Sequence, residues 1–526
     1  MYLNADQLPD NTLLQGFDLC IVGAGAAGLA MAKRLAGTSV KALVLSSGLP
    51  SDRGRPDAAR QAVYRGTIGP FLQKVDAQFL ERSRLHMHGG TTNHFGFWSR
   101  PLDEVDLRPR PGYRDAHWPF GLDELVPYYR AAHDFGRFGP FNYDDIAFWE
   151  RVLYARCFPP LPGDSLTGAV MHAQYEESLH DFQVQFADEL RAAPNITVLF
   201  NAHLLAVEST AGKDHVTGLA CATIEDGRAG RRFRVEASAY VLAMGGIETV
   251  RVLKLSGDLG DNRKGHLGRG FMVHPLVTSA ARVRFSRPVE TEICNFFRDQ
   301  QVRLQPPQTE GGEYVHVSAP LVNPEDIFNY CVFNAWGVLV PKAENLEAEK
   351  IGNFRLILRF SPARDEAIVN VNWEQLPNEN SAISLNPSQL DPIFGQPVTH
   401  LDWRLLDADK RTLARALELC RAYLQARGAT AFDLITDLSG GADHWSFAPD
   451  EGALATGDHH MGALRMSAGS QDGIVNPDSR LHSVDNLYIA GCSVFPTGGF
   501  ANPTLTIIAL ALRLADHLRA ALTTMP

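Results

Sequence analysis

Residues 18–22 (DLCIV) form a short apolar run that leads directly into Gly23-Ala24-Gly25-Ala26-Ala27-Gly28, and no other feature restricts the fold as much. The run suits a strand buried on both faces. After the glycines comes LAMAKRLA, in which Leu29, Ala32 and Leu35 fall on one helical face, and then a second apolar run, KALVL, at 41–45. Strand, glycine turn, helix and strand make a βαβ unit of the kind that binds dinucleotides. Gly23 permits the tight turn. Gly25 lets backbone N–H groups approach a pyrophosphate. Gly28 lets the helix pack on the strand, so that its N-terminal N–H groups face the anion. A glycine turn that binds nothing is the plainer alternative, and the flanking strand and helix argue against it. One position departs from the pattern. The second strand normally ends in an acidic residue that binds the adenosine ribose. Here it ends Leu45-Ser46-Ser47-Gly48, and Ser46 stands in that place. A hydroxyl still hydrogen-bonds a ribose, without charge-assisted strength. On this reading Ser46→Glu preserves or tightens dinucleotide binding.

Composition narrows what such a chain does. Sixty acidic residues against 49 basic ones leave a net charge of −11, which argues against a nucleic-acid partner. The seven cysteines are scattered, with no CxxC among them, so reduced thiols are expected rather than zinc ribbons or attached haem. The amino-terminal stretch has no basic n-region and no small-residue cleavage site. The longest apolar candidate, 505–512, contains Thr506 and is cut by Arg513. A cytoplasmic chain with no membrane span and no metal site is expected.

Three further segments carry weight: RLHMHGGTTNHFGFWSRP at 84–101, YVLAMGGIETVRVLKLSG at 240–257, and a long block from Gly457 that includes His459-His460-Met461-Gly462 and Ala501-Asn502-Pro503-Thr504. Together with the opening motif they resemble the glucose–methanol–choline (GMC) flavoprotein oxidoreductases, with some likeness to pyranose oxidase and bacterial sugar dehydrogenase members. In the second signature of that family Val250 replaces the usual proline, a small loss of local rigidity. The resemblance implies an α/β plus α+β chain, with a discontinuous Rossmann-like FAD-binding domain (1–145, 195–280 and 455–526) and a substrate domain built on an antiparallel sheet (146–194 and 281–454). The residues of the middle agree. Strand-like runs fall at 281–285, 314–317, 336–340, 355–360 and 368–373, followed by a helix with Asp407 as its N-cap and Leu413, Ala416, Leu417, Cys420 and Leu424 on one face.

The resemblance also implies the chemistry. FAD contacts are expected from Gly23, Gly25, Ala26, Ala27, Gly28, Ser46 and Ser47; from Gly89, Gly90, Thr91, Asn93 and His94; from Leu204 and Gly245; and from Gly491, Cys492, Asn502, Pro503 and Thr504. In some members, such as the fungal pyranose oxidases, a His at the place of His94 is bonded covalently to the flavin. In others the loop packs over non-covalent FAD, and that is the expectation here. The family base is the His opening His-x-x-Gly, here His459, and its partner is Asn502, 43 residues later. Imidazole suits a base near neutral pH, and an amide suits holding the substrate oxygen. Adjacent histidines are not separable in sequence, so His460 competes for the role. His86, His88, His117, His274 and His444 share no ligand spacing and read as structural or substrate-loop residues. Glu248 reads equally as a flavin contact or a solvated side chain, and Phe95, Phe97, Trp98 and Trp118 mostly as core. The expected reaction is oxidation of an alcohol, with a sugar or glycoside hydroxyl as candidate, and electrons passing to oxygen, a quinone or another redox partner. A lyase of the same fold and a dinucleotide-binding protein without flavin are the competing readings.

Overall fold

The computed structural model describes residues 1–50, 56–94, 97–111, 113, 116–174, 186–262, 264–305, 315–317, 331–447 and 450–523. Phe95 and Tyr314 fall outside them.

The opening motif folds as its spacing demands. Strand Thr12–Val22 runs into helix Ala26–Leu35 and then strand Ala42–Leu45, and the two strands pair in parallel. Gly23 has φ +109°, and a Cβ there would lie 2.4 Å from the carbonyl oxygen of Ala243. A Cβ on Gly28 would lie 1.9 Å from the oxygen of Gly23. Both positions therefore exclude a side chain. The parallel sheet is assembled from distant pieces. In spatial order it runs Tyr2–Asn4, Ile196–Phe200, Ala42–Leu45, Thr12–Val22 and Arg228–Leu242, and Leu487–Ile489 pairs with the last of these. Strands Val216–Glu225 and His203–Ser209 extend it as an antiparallel meander.

The second sheet is antiparallel. Its order is Val315–His316, Gln300–Gln305, Cys331–Pro341, Phe354–Phe360, Glu366–Trp373, Pro275–Phe285, Ala429–Leu434, with Leu166–Gln174 also pairing Cys331–Pro341. The strands expected between 281 and 373 all occur, most of them longer than the sequence runs suggested. One face buries Phe354, Leu356, Val369 and Val371 in the main core with Leu413, Leu417 and Cys420 of helix Asp407–Gln425. The opposite face carries a small separate cluster of Met171, Trp336, Val338 and Ile357, joined by Phe500.

Three expectations change. Asp407 lies inside the helix and accepts from the Ala442 N–H; Asp409 caps it by accepting from the Leu406 N–H at 2.6 Å. A boundary at 280 cuts strand Pro275–Phe285, which pairs in the antiparallel sheet along its length. Within 281–454, strands Ala382–Leu390 and Pro397–Asp402 form a third sheet with Gly66–Ile68, so this segment pairs with the amino-terminal piece rather than with the antiparallel sheet.

Candidate active site

A cavity of about 560 Å³ opens above the carboxyl ends of the parallel strands, where ligands sit in open α/β sheets. The glycine turn forms one wall with Gly23, Gly25, Ala26 and Ala27, and Ser47 follows at the end of the next strand. Gly90, Thr91 and His94 come from the second glycine-rich segment, Leu204 and Gly245 from the middle. The C-terminal block adds His459, His460, Gly491, Cys492, Asn502, Pro503 and Thr504. Three helices start at this cavity, Ala26–Leu35, Gly246–Leu255 and Thr504–Thr523, so all direct the positive ends of their dipoles toward whatever it holds.

Four expected contacts stand back from the wall. Gly28 serves helix packing. Gly89 turns the loop at φ +81°, and Asn93 braces it by donating to the carbonyls of His88 and Gly90 at 2.9 and 2.7 Å. Ser46 is 1% exposed, and its hydroxyl lies 3.0 Å from Nδ1 of His88. It is turned away from the cavity that Ser47 lines. The expectation for Ser46→Glu therefore reverses: a carboxylate there would be buried without a cation, and the substitution should lower the melting temperature rather than tighten a dinucleotide. A variant that melts with the wild type contradicts this placement.

His459 sits at the centre of a directed chain of hydrogen bonds. Nε2 of His274 donates to the carbonyl of Gly499 at 2.9 Å. Nδ1 of His274 is then an acceptor and takes the proton on Nδ1 of His459 at 2.7 Å. This leaves the lone pair of His459 on Nε2, where Nδ2 of Asn502 approaches to 3.2 Å. Oδ1 of Asn502 is buried and has no partner among the described residues. Burial holds His459 well below the ordinary histidine pKa, with the charges of His274, Arg355 and His460 adding to it; burial also lowers His274 to about 4. Both rings are neutral at pH 7. His460 differs: its Nε2 meets the hydroxyl of Ser83 at 2.9 Å and its ring stands edge-on to Phe79.

His274 is the residue whose part the sequence hides, since 185 positions separate it from His459. Its support reaches further. The N–H of Gly499 donates to Glu374 at 3.0 Å, and Glu374, fully buried, also accepts from Arg110 (2.7 Å), Tyr113 (2.8 Å) and the N–H of Asn353 (3.1 Å). Burial pushes the Glu374 carboxyl up, but Arg110 and these bonds outweigh it and hold it below the usual range. Glu248 is neither solvated nor free: it pairs with Arg251 at 2.9 Å on the cavity wall. Phe97 and Trp118 are core, while Trp98 is 37% exposed toward the cavity. Among the described residues no His, Cys, Asp and Glu cluster is arranged to hold a metal ion, the cysteines are all free, and no helix is long and apolar enough to cross a membrane.

Burial lowers the pKa of eleven histidines among the described residues: His86, His88, His133 and His274 to about 4, His460 to about 3, His172, His203 and His459 well below the ordinary value, and His94, His266 and His482 below it. Below pH 6.5 the unfolded chain binds protons that the folded one refuses. Stability is therefore full above that pH and is lost as the pH falls toward 4. The melting temperature should drop continuously across this window, and a level curve down to pH 4.5 would contradict the burial of these rings as neutral groups.

The cavity fits a dinucleotide in its chemistry: a glycine turn no side chain can enter, three helix N-termini for anionic groups, and an unpartnered amide oxygen. Residues 377–511 match the family model described as GMC oxidoreductase. Paromamine 6'-oxidase of Streptomyces fradiae is 25% identical over 95% of this chain and 90% of its own length. For 6'''-hydroxyparomomycin C oxidase of Streptomyces lividus the values are 26%, 98% and 94%. Among solved structures, formate oxidase superposes with a TM-score of 0.57 at 17% identity, covering 98% of this chain and 99% of that one, a likeness of fold.

Proposed function

We propose that the chain is a GMC oxidoreductase, as its match to that family model and its relatives support, and that it oxidises the CH–OH group of an alcohol, a sugar or glycoside hydroxyl foremost, with FAD held non-covalently in the 560 Å³ cavity. The observation that carries this reading is the His459–Asn502 pair on the cavity wall, with the lone pair of His459 fixed on Nε2 by His274 and Gly499. FAD, when bound, supplies the two-electron acceptor for the hydride of the oxidised carbon. The protein does the rest. The glycine turn and the helix N-termini would hold the pyrophosphate and the anionic part of the ring system. A substrate hydroxyl that displaces the 3.2 Å contact between the two side chains donates its proton to Nε2 of His459 and accepts from Nδ2 of Asn502. His459 is neutral at pH 7 and so is ready to take that proton, and the bond from its Nδ1–H to His274 keeps the ring from turning as it does so.

A panel of alcohols and sugars mixed anaerobically with the purified yellow protein tests the reading. Bleaching of the 450 nm band by any of them supports it, and a band that survives the whole panel overturns it. Reoxidation by air against reoxidation by a dye then separates an oxidase from a dehydrogenase. Acid precipitation should leave the yellow colour in the supernatant; a yellow pellet would mean that His94 carries the flavin.

A further inference from the structure

Side chains alternate along a strand, so Phe354–Phe360 sends Phe354, Leu356 and Leu358 into the main core and Arg355, Ile357 and Arg359 to the opposite face. Arg355 is 2% exposed, yet no carboxylate among the described residues stands against it. Its Nη1 meets only the sulfur of Met171 at 3.6 Å, its Nε has no partner, and its guanidinium lies 5.4 Å from the ring centre of Trp98. Burial and the nearby Arg100 pull its pKa down to about 9, which leaves it charged at neutral pH. A buried cation without an anion is expensive, and proteins keep one where a ligand completes the pair. Directly opposite on the neighbouring strand is Asn372, 8% exposed, whose amide makes no hydrogen bond among the described residues.

Ile357 and Arg359 of that face line a second cavity of about 730 Å³ with Trp336, and Trp98, over which the Arg355 guanidinium lies, is the wall it shares with the first. Arg298, Arg359 and Arg364 stand around it against one acid, Asp299. In a chain of net charge −11 this is a local reversal of sign. A cleft lined by one sign of charge concentrates ligands of the other sign. Trp98 lines the first cavity together with His459.

We propose that Arg355 and Asn372 form an anion subsite, and that the substrate is an alcohol that also bears a carboxylate, admitted through the arginine-lined cavity. A carboxylate fits best because a guanidinium edge presents two parallel donors to its two oxygens, and the amide adds a third. The identification of that ligand as substrate rests on the oxidoreductase reading above; the binding site itself does not.

The test titrates the yellow holoprotein with acetate, lactate and methyl β-D-glucuronide, each beside its neutral counterpart: acetamide, propane-1,2-diol and methyl β-D-glucoside. Binding is read from the shift of the flavin band and of the melting temperature. In at least one pair the carboxylate should bind about tenfold to a hundredfold more tightly, the range of a charge-assisted bond. Arg355→Met keeps the length without the charge and should abolish that preference, while Arg355→Lys keeps part of it. Asn372→Asp supplies the missing anion and should also abolish the preference, while raising the melting temperature; it decides the matter if Arg355→Met fails to fold. The subsite is overturned if no carboxylate outbinds its counterpart in the wild type, or if the preference survives either substitution. Carboxylate binding without bleaching by any alcohol would instead retain the subsite and sink the oxidoreductase reading.

Discussion

His459→Ala should slow anaerobic reduction of the flavin by substrate about a hundredfold to ten-thousandfold, the usual size of a lost general base. The flavin band and the melting temperature should change little, because the ring is held by only two side-chain contacts and carries no structural charge. His460→Ala is the control. That ring is engaged with Ser83 and Phe79, so its loss should cost less than about tenfold in the same step. If the two variants exchange these effects, the base is His460 and the Asn502 contact has been misread. His274→Ala should fall between them: the lone pair stays on His459, but nothing then fixes which nitrogen carries it.

Glu374→Ala is the change expected to damage stability most. It removes the acceptor of four donors at once and leaves Arg110 buried against Asp106, whose carboxyl burial already raises to about 8. Breaking a buried pair by removing one partner costs about 3–5 kcal/mol. An unfolding free energy lowered by that amount in denaturant titration is expected, and a loss under about 1 kcal/mol would show that the network is not holding the fold. Because the N–H of Gly499 is one of the four donors, and its carbonyl orients His274, the surviving folded fraction should also reduce its flavin more slowly. Stability and chemistry fail together here through a single loop.

The sequence made the parts of the site that touch backbone easy to see. Gly23, Gly25 and Gly28 announce themselves because only glycine meets their geometry, and the apolar strand before them and the helical face after them mark the turn by their own patterning. The order of the C-terminal block likewise placed His459 and Asn502 together. Ser46 was misplaced by one residue, because alternation along the strand end decides which of two adjacent serines faces the cavity, and periodicity does not resolve a two-residue choice. His274, Arg355, Asn372 and Glu374 were silent for a different reason. Each gains its meaning from a partner on another strand or loop, brought near only by the antiparallel sheet, and a lone histidine or arginine in a strand has no spacing to read. The third sheet was hidden in the same way, since Gly66–Ile68 is three residues long and finds its partner more than 300 positions away.

The parallel sheet takes a strand from Leu487–Ile489, and the cavity is closed by Asn502 and the helix after it. On the ribosome, the first βαβ unit therefore keeps open edges until Ile196–Phe200 and Arg228–Leu242 are made, and its cradle stays incomplete until Asn502 follows. Cofactor capture belongs to the last moments of synthesis, and the apolar early strands need shielding until their edges are filled. A premature stop anywhere before Leu487 leaves a fragment with no partial activity to inherit, and gene fusions that split the chain in its middle separate the two halves of one pocket.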